Sequence, residues 1–217
     1  MTSILGIDEA GRGPVIGPLV IAAVKIKDSN EKKISALGVK DSKLLTPKQR
    51  EKLYYDIIKI VESNKIYIIK PKEIDDAVTS SKTNLNWLEG DYSAKLINEL
   101  KPDKAILDCP SNNPKAYVDY IKKKVKAKTE IIAEHKADMN YPVVSAASIL
   151  AKVTRDKEIA KIIDKLNKPI GSGYPSDPVT KKFIKENYKE HPEIFRKSWQ
   201  TYKDLVQQKQ QSRLGDF

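Results

Sequence analysis

The sequence predicts a mixed α/β sheet flanked by helices, and three observations predict it. Short apolar runs rich in Ile and Val recur at 3–8, 19–26, 65–70, 104–108 and 129–134, each closed by turn or charged residues. Helical stretches with recognisable starts lie between most of these runs, at about 46–62, 84–100 and 114–124. The first two runs have no helix between them, and from there strands and helices alternate.

Taken in order, residues 3–8 form a run apolar enough for a strand buried on both faces. It stops at Asp8-Glu9-Ala10-Gly11-Arg12-Gly13-Pro14, which is turn chemistry. Residues 19–26 are the second strand. Thr46 caps a helix whose first turn holds Pro47, a position where the missing N–H costs nothing. A strand over 65–70 and a helix over 84–100 follow, and then a strand that again ends in an acid, Asp108. After the helix at 114–124 and the strand at 129–134 comes Asp138, ahead of a long helix over 142–166. Gly171-Ser172-Gly173-Tyr174-Pro175 opens a stiff loop, followed by one or two helices and a polar tail. The expected division is a catalytic domain over 1–170, a helical extension over 171–208 and a tail over 209–217.

The formal net charge of +11 suits a polyanionic partner, although a Lys- and Glu-rich composition of the heat-adapted kind also raises it. The single cysteine, Cys109, cannot form an intrachain disulfide and reads as a packed thiol. The N-terminus lacks the basic-then-apolar pattern of a signal peptide. The longest apolar run ends at Lys25, far short of the roughly 20 residues of a membrane helix. The expectation is a soluble cytoplasmic monomer that binds no membrane.

Asp8, Glu9 and Asp108 stand at strand ends and Asp138 follows a third strand. Ligand crevices of open α/β sheets form at such ends. Converging carboxylates repel one another unless cations lie between them, and oxygen-only ligands favour Mg²⁺ or Mn²⁺ over zinc. His135 and His191 lack zinc-site pairing. With 29 acids in the chain, an Asp at a strand end is more often a cap or a turn residue. Gly11-Arg12-Gly13 lets the main chain approach a ligand, or it is an ordinary turn. Ser145, Ser148, Lys152 and Arg155 share one helix face, suited to a phosphate backbone or simply solvated. Tyr174 stacks on a sugar or base, or plugs the core.

Read together, these segments resemble one family, type 2 ribonuclease H, and most closely its archaeal branch. Ile7-Asp8-Glu9-Ala10-Gly11-Arg12-Gly13-Pro14 with Gly17-Pro18 resembles the family's N-terminal signature. Asp41-Ser42-Lys43, Leu107-Asp108, Lys136-Ala137-Asp138, the helix from Ser145 to Asp156 and Gly171-Ser172-Gly173-Tyr174-Pro175 follow in the family's order. Leu44 stands where a second lysine is frequent. The resemblance implies a ribonuclease H-like fold with a C-terminal helical extension. It implies an endonuclease acting on RNA–DNA hybrids and on ribonucleotides embedded in duplex DNA, leaving a 3′-hydroxyl and a 5′-phosphate. It assigns two Mg²⁺ or Mn²⁺ ions to Asp8, Glu9, Asp108 and Asp138. It makes Gly11, Arg12 and Gly13 readers of the ribose 2′-hydroxyl and sets Tyr174 against the sugar. Lys43, Ser148, Lys152 and Arg155 become candidate substrate contacts.

The tail reads Gln211-Ser212-Arg213-Leu214-Gly215-Asp216-Phe217, close to the box by which replication proteins bind a sliding clamp. Gln211, Leu214 and Phe217 would be its anchors; the rival reading docks Phe217 on its own domain. Two other functions compete: a non-catalytic nucleic-acid module, disfavoured by acids that would repel phosphate, and a clamp-tethered adaptor.

Overall fold

The computed structural model describes residues 2–39 and 45–214, those from 209 on by their main chain. Five strands, β1 (Ser3–Ala10), β2 (Leu19–Lys27), β3 (Ser63–Ile69), β4 (Lys104–Asp108) and β5 (Glu130–Glu134), form one sheet in the order β3-β2-β1-β4-β5. β1 runs antiparallel to β2 and parallel to β4, which is parallel to β5. The sheet is therefore mixed, as the strand pair followed by alternation predicts. The helices are α1 (Glu31–Ala36), α2 (Pro47–Ile60), α3 (Pro71–Thr79), α4 (Leu85–Leu100), α5 (Pro114–Lys122), α6 (Ala137–Asn140), α7 (Pro142–Leu166), α8 (Pro178–Asn187) and α9 (Gln200–Leu214). Among the described residues no helix is long and apolar enough to cross a membrane.

Local chemistry sets several boundaries. Thr46 and Gln49 close a reciprocal capping box, Thr46 N–H donating to Gln49 Oε1 at 2.9 Å and Gln49 N–H to Thr46 Oγ1 at 3.3 Å, so α2 starts at Pro47. Asn113 accepts from Ala116 N–H to start α5. The helix over 71–79 is not among the elements expected above, although Pro71 in its first turn and the buried Ile74 and Ala77 at helical spacing mark it.

The chain divides into two compact units. The first comprises Met1–Ala10, Val20–Ile68 and Leu85–Thr154; the second comprises Gly11–Leu19, Ile69–Asn84 and Arg155–Phe217. In the first unit consecutive residues of β1 are buried on both faces of the strand, which explains its unbroken apolar run. One face packs on α2 through Leu53 and Ile57 and on the N-terminal half of α7 through Val143, Ala147 and Leu150. Helix and strand meet there backbone to backbone: a Cβ on Gly6 would lie 2.3 Å from the Val143 carbonyl oxygen. The second unit has its own core, in which Ile16, Ile159, Ile170, Phe183, Phe195 and Tyr202 pack together. Ile16 and Phe195 also pair main chain to main chain.

Candidate active site

The acids of the first unit are brought together by strand register. β1 and β4 pair with Ile7 opposite Leu107, so the next residue on each strand, Asp8 and Asp108, ends the pairing beside the other. Carboxylate oxygens of Asp8, Glu9 and Asp108 all lie within 4.8 Å of one another. Beyond β5 the chain turns through Lys136 in the left-handed region (φ 59°) and enters α6. Asp108 Oδ1 accepts from Ala137 N–H at 2.8 Å, so the acid that ends β4 also holds the first turn of the helix carrying Asp138. Ser145 Oγ donates to the Asp138 and Tyr141 carbonyls, tying α6 to the start of α7. Three residues on, Ser148 is hydrogen-bonded to Asp8.

Asp8 is 6% exposed. Burial and then the neighbouring charge of Asp108 push its pKa up to about 7, against the hydrogen bonds from Ser148 and from Glu9 N–H at 2.7 Å; Asp138 adds to the rise. Burial raises Asp108 as well, Ala137 N–H opposes it and Asp138 reinforces it. A cluster of oxygen donors in which the ionised form is this costly suits a hard divalent cation, whose charge reverses the penalty. The donor set therefore fits Mg²⁺ or Mn²⁺ in kind.

In the second unit the Gly-Arg-Gly turn and the tyrosine loop meet. Val15 N–H donates to the Gly173 carbonyl at 2.8 Å. Gly11 sits at φ +86°, and a Cβ there would lie 2.4 Å from Arg155 Cδ and Nε. Arg155 is buried with its guanidinium 5.5 Å from the centre of the Tyr174 ring, while Tyr174 itself is 41% exposed. The loop is pinned from behind: Ser172 N–H donates to Asp177 Oδ2 at 2.6 Å and Gly173 N–H to Thr180 Oγ1 at 3.0 Å.

The sequence profile of the family described as Ribonuclease HII matches this chain over residues 5–202. The chain belongs to the ribonuclease HII family. It is 48% identical to the ribonuclease HII of Thermococcus sibiricus over 98% of this chain and 96% of that one. Among solved structures it is similar to the ribonuclease H2 of Pyrococcus horikoshii, with a TM-score of 0.88 and 44% identity over 96% of this chain and 99% of that one. It is also similar to the ribonuclease HII of Archaeoglobus fulgidus in a structure of its complex with PCNA, with a TM-score of 0.82 and 38% identity over 93% of this chain and 96% of that one. The ribonuclease H-like fold, the endoribonuclease class and action on RNA–DNA hybrids follow from family membership, as does a general use of divalent metal ions.

In the first unit the structure gathers Asp8, Glu9 and Asp108 in one cluster with Asp138 in electrostatic reach of two of them. The polar face expected on the long helix is not a solvated one. Ser145 is buried and bonded to carbonyls, Ser148 is engaged with Asp8, and Arg155 is 3% exposed and turned on Tyr174, leaving Lys152 half-buried. Arg155, expected at the substrate, lies buried against the Tyr174 ring on the covered side of the helix. Cys109 is a buried thiol that donates to the Ser111 carbonyl, as a packed cysteine would. Lys43 and Phe217 lie outside the described residues; Gln211 and Leu214 fall in the last turn of α9. Two residues make contacts beside these groups that the sequence does not display. His135, just after β5, places Nδ1 3.0 Å from the Cys109 carbonyl next to Asp108, and that position after a strand end is the signal that could have found it. Arg196 carries no such local signal.

Proposed function

We propose that this enzyme cuts both the RNA strand of RNA–DNA hybrids and the bond 5′ of single ribonucleotides embedded in duplex DNA, leaving a 3′-hydroxyl and a 5′-phosphate. The observation that carries the proposal is the trio of carboxylates from adjacent strands within 4.8 Å of one another, with Asp138 beside it. Asp8, Glu9, Asp108 and Asp138 would hold two Mg²⁺ or Mn²⁺ ions. Such ions supply a Lewis acid that makes water nucleophilic and takes up charge on the leaving oxygen. The chain's own part is to fix the carboxylates beforehand: Ser148 orients Asp8, and Asp108 sets the helix that bears Asp138.

The Gly11-Arg12-Gly13 turn reads the ribose 2′-hydroxyl through main-chain groups, which RNA offers a partner for and DNA does not. Tyr174, held against Arg155 with one side exposed, packs on the sugar at the RNA–DNA junction. Lys43 and Lys152 contact phosphates, and the net charge of +11 supports that attraction. The tail binds a sliding clamp through Gln211, Leu214 and Phe217. Its Gln-x-x-Leu-x-x-Phe spacing and the PCNA complex of the Archaeoglobus relative support that reading.

The test is cleavage of a DNA duplex carrying one ribonucleotide, in Mg²⁺, in Mn²⁺ and in chelator. The expected result is a metal-dependent cut on the 5′ side of that ribonucleotide. Cutting of a long hybrid alone would remove the junction role of the turn and of Tyr174. Deleting Gln211 to Phe217 should leave cleavage of a short free duplex in place and abolish stimulation by the clamp; loss of both would favour the adaptor reading.

A further inference from the structure

Arg196 is a fully buried arginine in the second unit, at 0% exposure, far in sequence from the Gly11–Gly13 turn. Its side chain is devoted to main-chain carbonyls of the segment that follows β1. Nη2 donates to the Gly11 carbonyl at 2.5 Å, Nη1 to that of Arg12 at 2.8 Å and Nε to that of Gly17 at 3.1 Å. Its own N–H donates to the Val15 carbonyl at 2.9 Å. Trp199, whose ring centre lies 5.0 Å from the guanidinium carbon, donates Nε1–H to the Gly13 carbonyl at 3.0 Å. The carbonyls of Gly11, Arg12 and Gly13 are thus all held by two side chains one helical turn apart in sequence.

The intervening residues are fixed in turn. Asp75 accepts from Lys197 N–H at 2.8 Å, from Ser198 N–H at 2.9 Å and from Ser198 Oγ at 2.5 Å. A peptide unit is planar and trans, so holding the carbonyl of one residue fixes the direction of the next residue's N–H. Arg196 therefore sets the orientation of the Arg12 and Gly13 amides. A fully buried guanidinium is costly to desolvate, and a core needing only bulk would take an apolar side chain more cheaply. Its planar fork serves several carbonyls at once, which an ammonium cannot do with the same geometry.

We infer that Arg196 and Trp199 are positioning residues for ribonucleotide recognition, holding the Gly11–Gly13 main chain in the conformation that discriminates a ribose from a deoxyribose. The inference rests on the proposed role of that turn. The test uses the full chain in Mg²⁺, cleaving a labelled duplex with one ribonucleotide. Two unlabelled competitors share its sequence, one bearing the ribonucleotide and one all DNA, and the ratio of their inhibition constants reads discrimination. Trp199→Phe removes one hydrogen bond and keeps an aromatic ring; Arg196→Lys keeps the charge and loses the fork. Each should lower the ratio by about fivefold or more, the equivalent of one lost hydrogen bond. Arg196→Lys should retain more discrimination than Arg196→Ala. A purely structural role would weaken both competitors in proportion and leave the ratio at its wild-type value in Trp199→Phe, and that result overturns the inference, whether or not the Arg196 variants fold. A wild-type ratio near one would instead overturn the role of the turn itself.

Discussion

Replacing Asp8 with Asn should stabilise the metal-free protein at neutral and alkaline pH, although it removes a carboxylate from the proposed metal site. Burial and the charge of Asp108 raise the pKa of Asp8 from 3.8 to about 7. A folded-state pKa above the unfolded one means that the native protein keeps its proton longer. The associated stability is complete below pH 3.8, is lost between about pH 4 and 7, and is absent above that range. The size of the shift corresponds to about 4 kcal/mol at pH 8 as a ceiling, and sharing of charge with Asp108 and Asp138 reduces it toward about 2 kcal/mol. Asparagine cannot ionise, still accepts from Glu9 N–H, and can offer its amide to Ser148. At roughly 2–4 °C per kcal/mol for a protein of this size, Asp8→Asn should melt on the order of 5–10 °C above wild type in EDTA at pH 8. The two should converge near pH 4. Mg²⁺ or Mn²⁺ should close the gap at pH 8, because wild type gains binding energy that the variant lacks. Thermal unfolding by circular dichroism across this pH range is the assay. A variant no more stable than wild type at pH 8 in chelator, or a gap independent of pH, refutes the account of the buried cluster.

Asp138→Asn should reduce cleavage by orders of magnitude while duplex binding, followed by fluorescence anisotropy, persists; normal turnover would remove Asp138 from the site. Gly11→Ala places a Cβ at φ +86° and 2.4 Å from Arg155. It should cost about 1–3 kcal/mol of stability in chemical denaturation and should also impair cutting at single ribonucleotides, and wild-type behaviour in both would mean that the turn tolerates a side chain. Asp177 has its pKa lowered to about 2, first by the Ser172 N–H. Its contribution to the tyrosine loop is present above pH 3.8 and fades as the pH falls toward 2. Asp177→Ala should raise KM at neutral pH more than it lowers kcat, by loosening the loop behind Tyr174; an unchanged KM would separate the loop's anchoring from substrate binding.

Much of the fold was legible in the sequence because its signals are local. Apolar runs of strand length, the Thr46–Pro47 start and the long helix beginning at Pro142 depend on neighbours within a few residues, and the structure has them where periodicity and capping chemistry put them. Asp108 at the end of β4 could be seen for the same reason, whereas Asp8 and Glu9, expected to close the first strand, lie within β1, whose pairing with β2 runs on to Ala10. Whether those acids meet was a matter of tertiary structure. Their adjacency comes from the parallel register of β1 with β4, and Asp138 is brought near by a helix whose first turn Asp108 itself holds. Pairing of segments 100 residues apart leaves no periodic trace in either segment. The same holds for burial: Ser145 and Arg155 look like a solvated stripe in sequence, and only packing turns them inward. Arg196 is the clearest case. Its three acceptors are carbonyls of residues about 180 positions earlier, and a main-chain carbonyl carries no side-chain identity for a sequence to display. Which elements form, and most of the chemistry they carry, is written in residues close together along the chain; which of those groups touch is set by register and packing between distant segments.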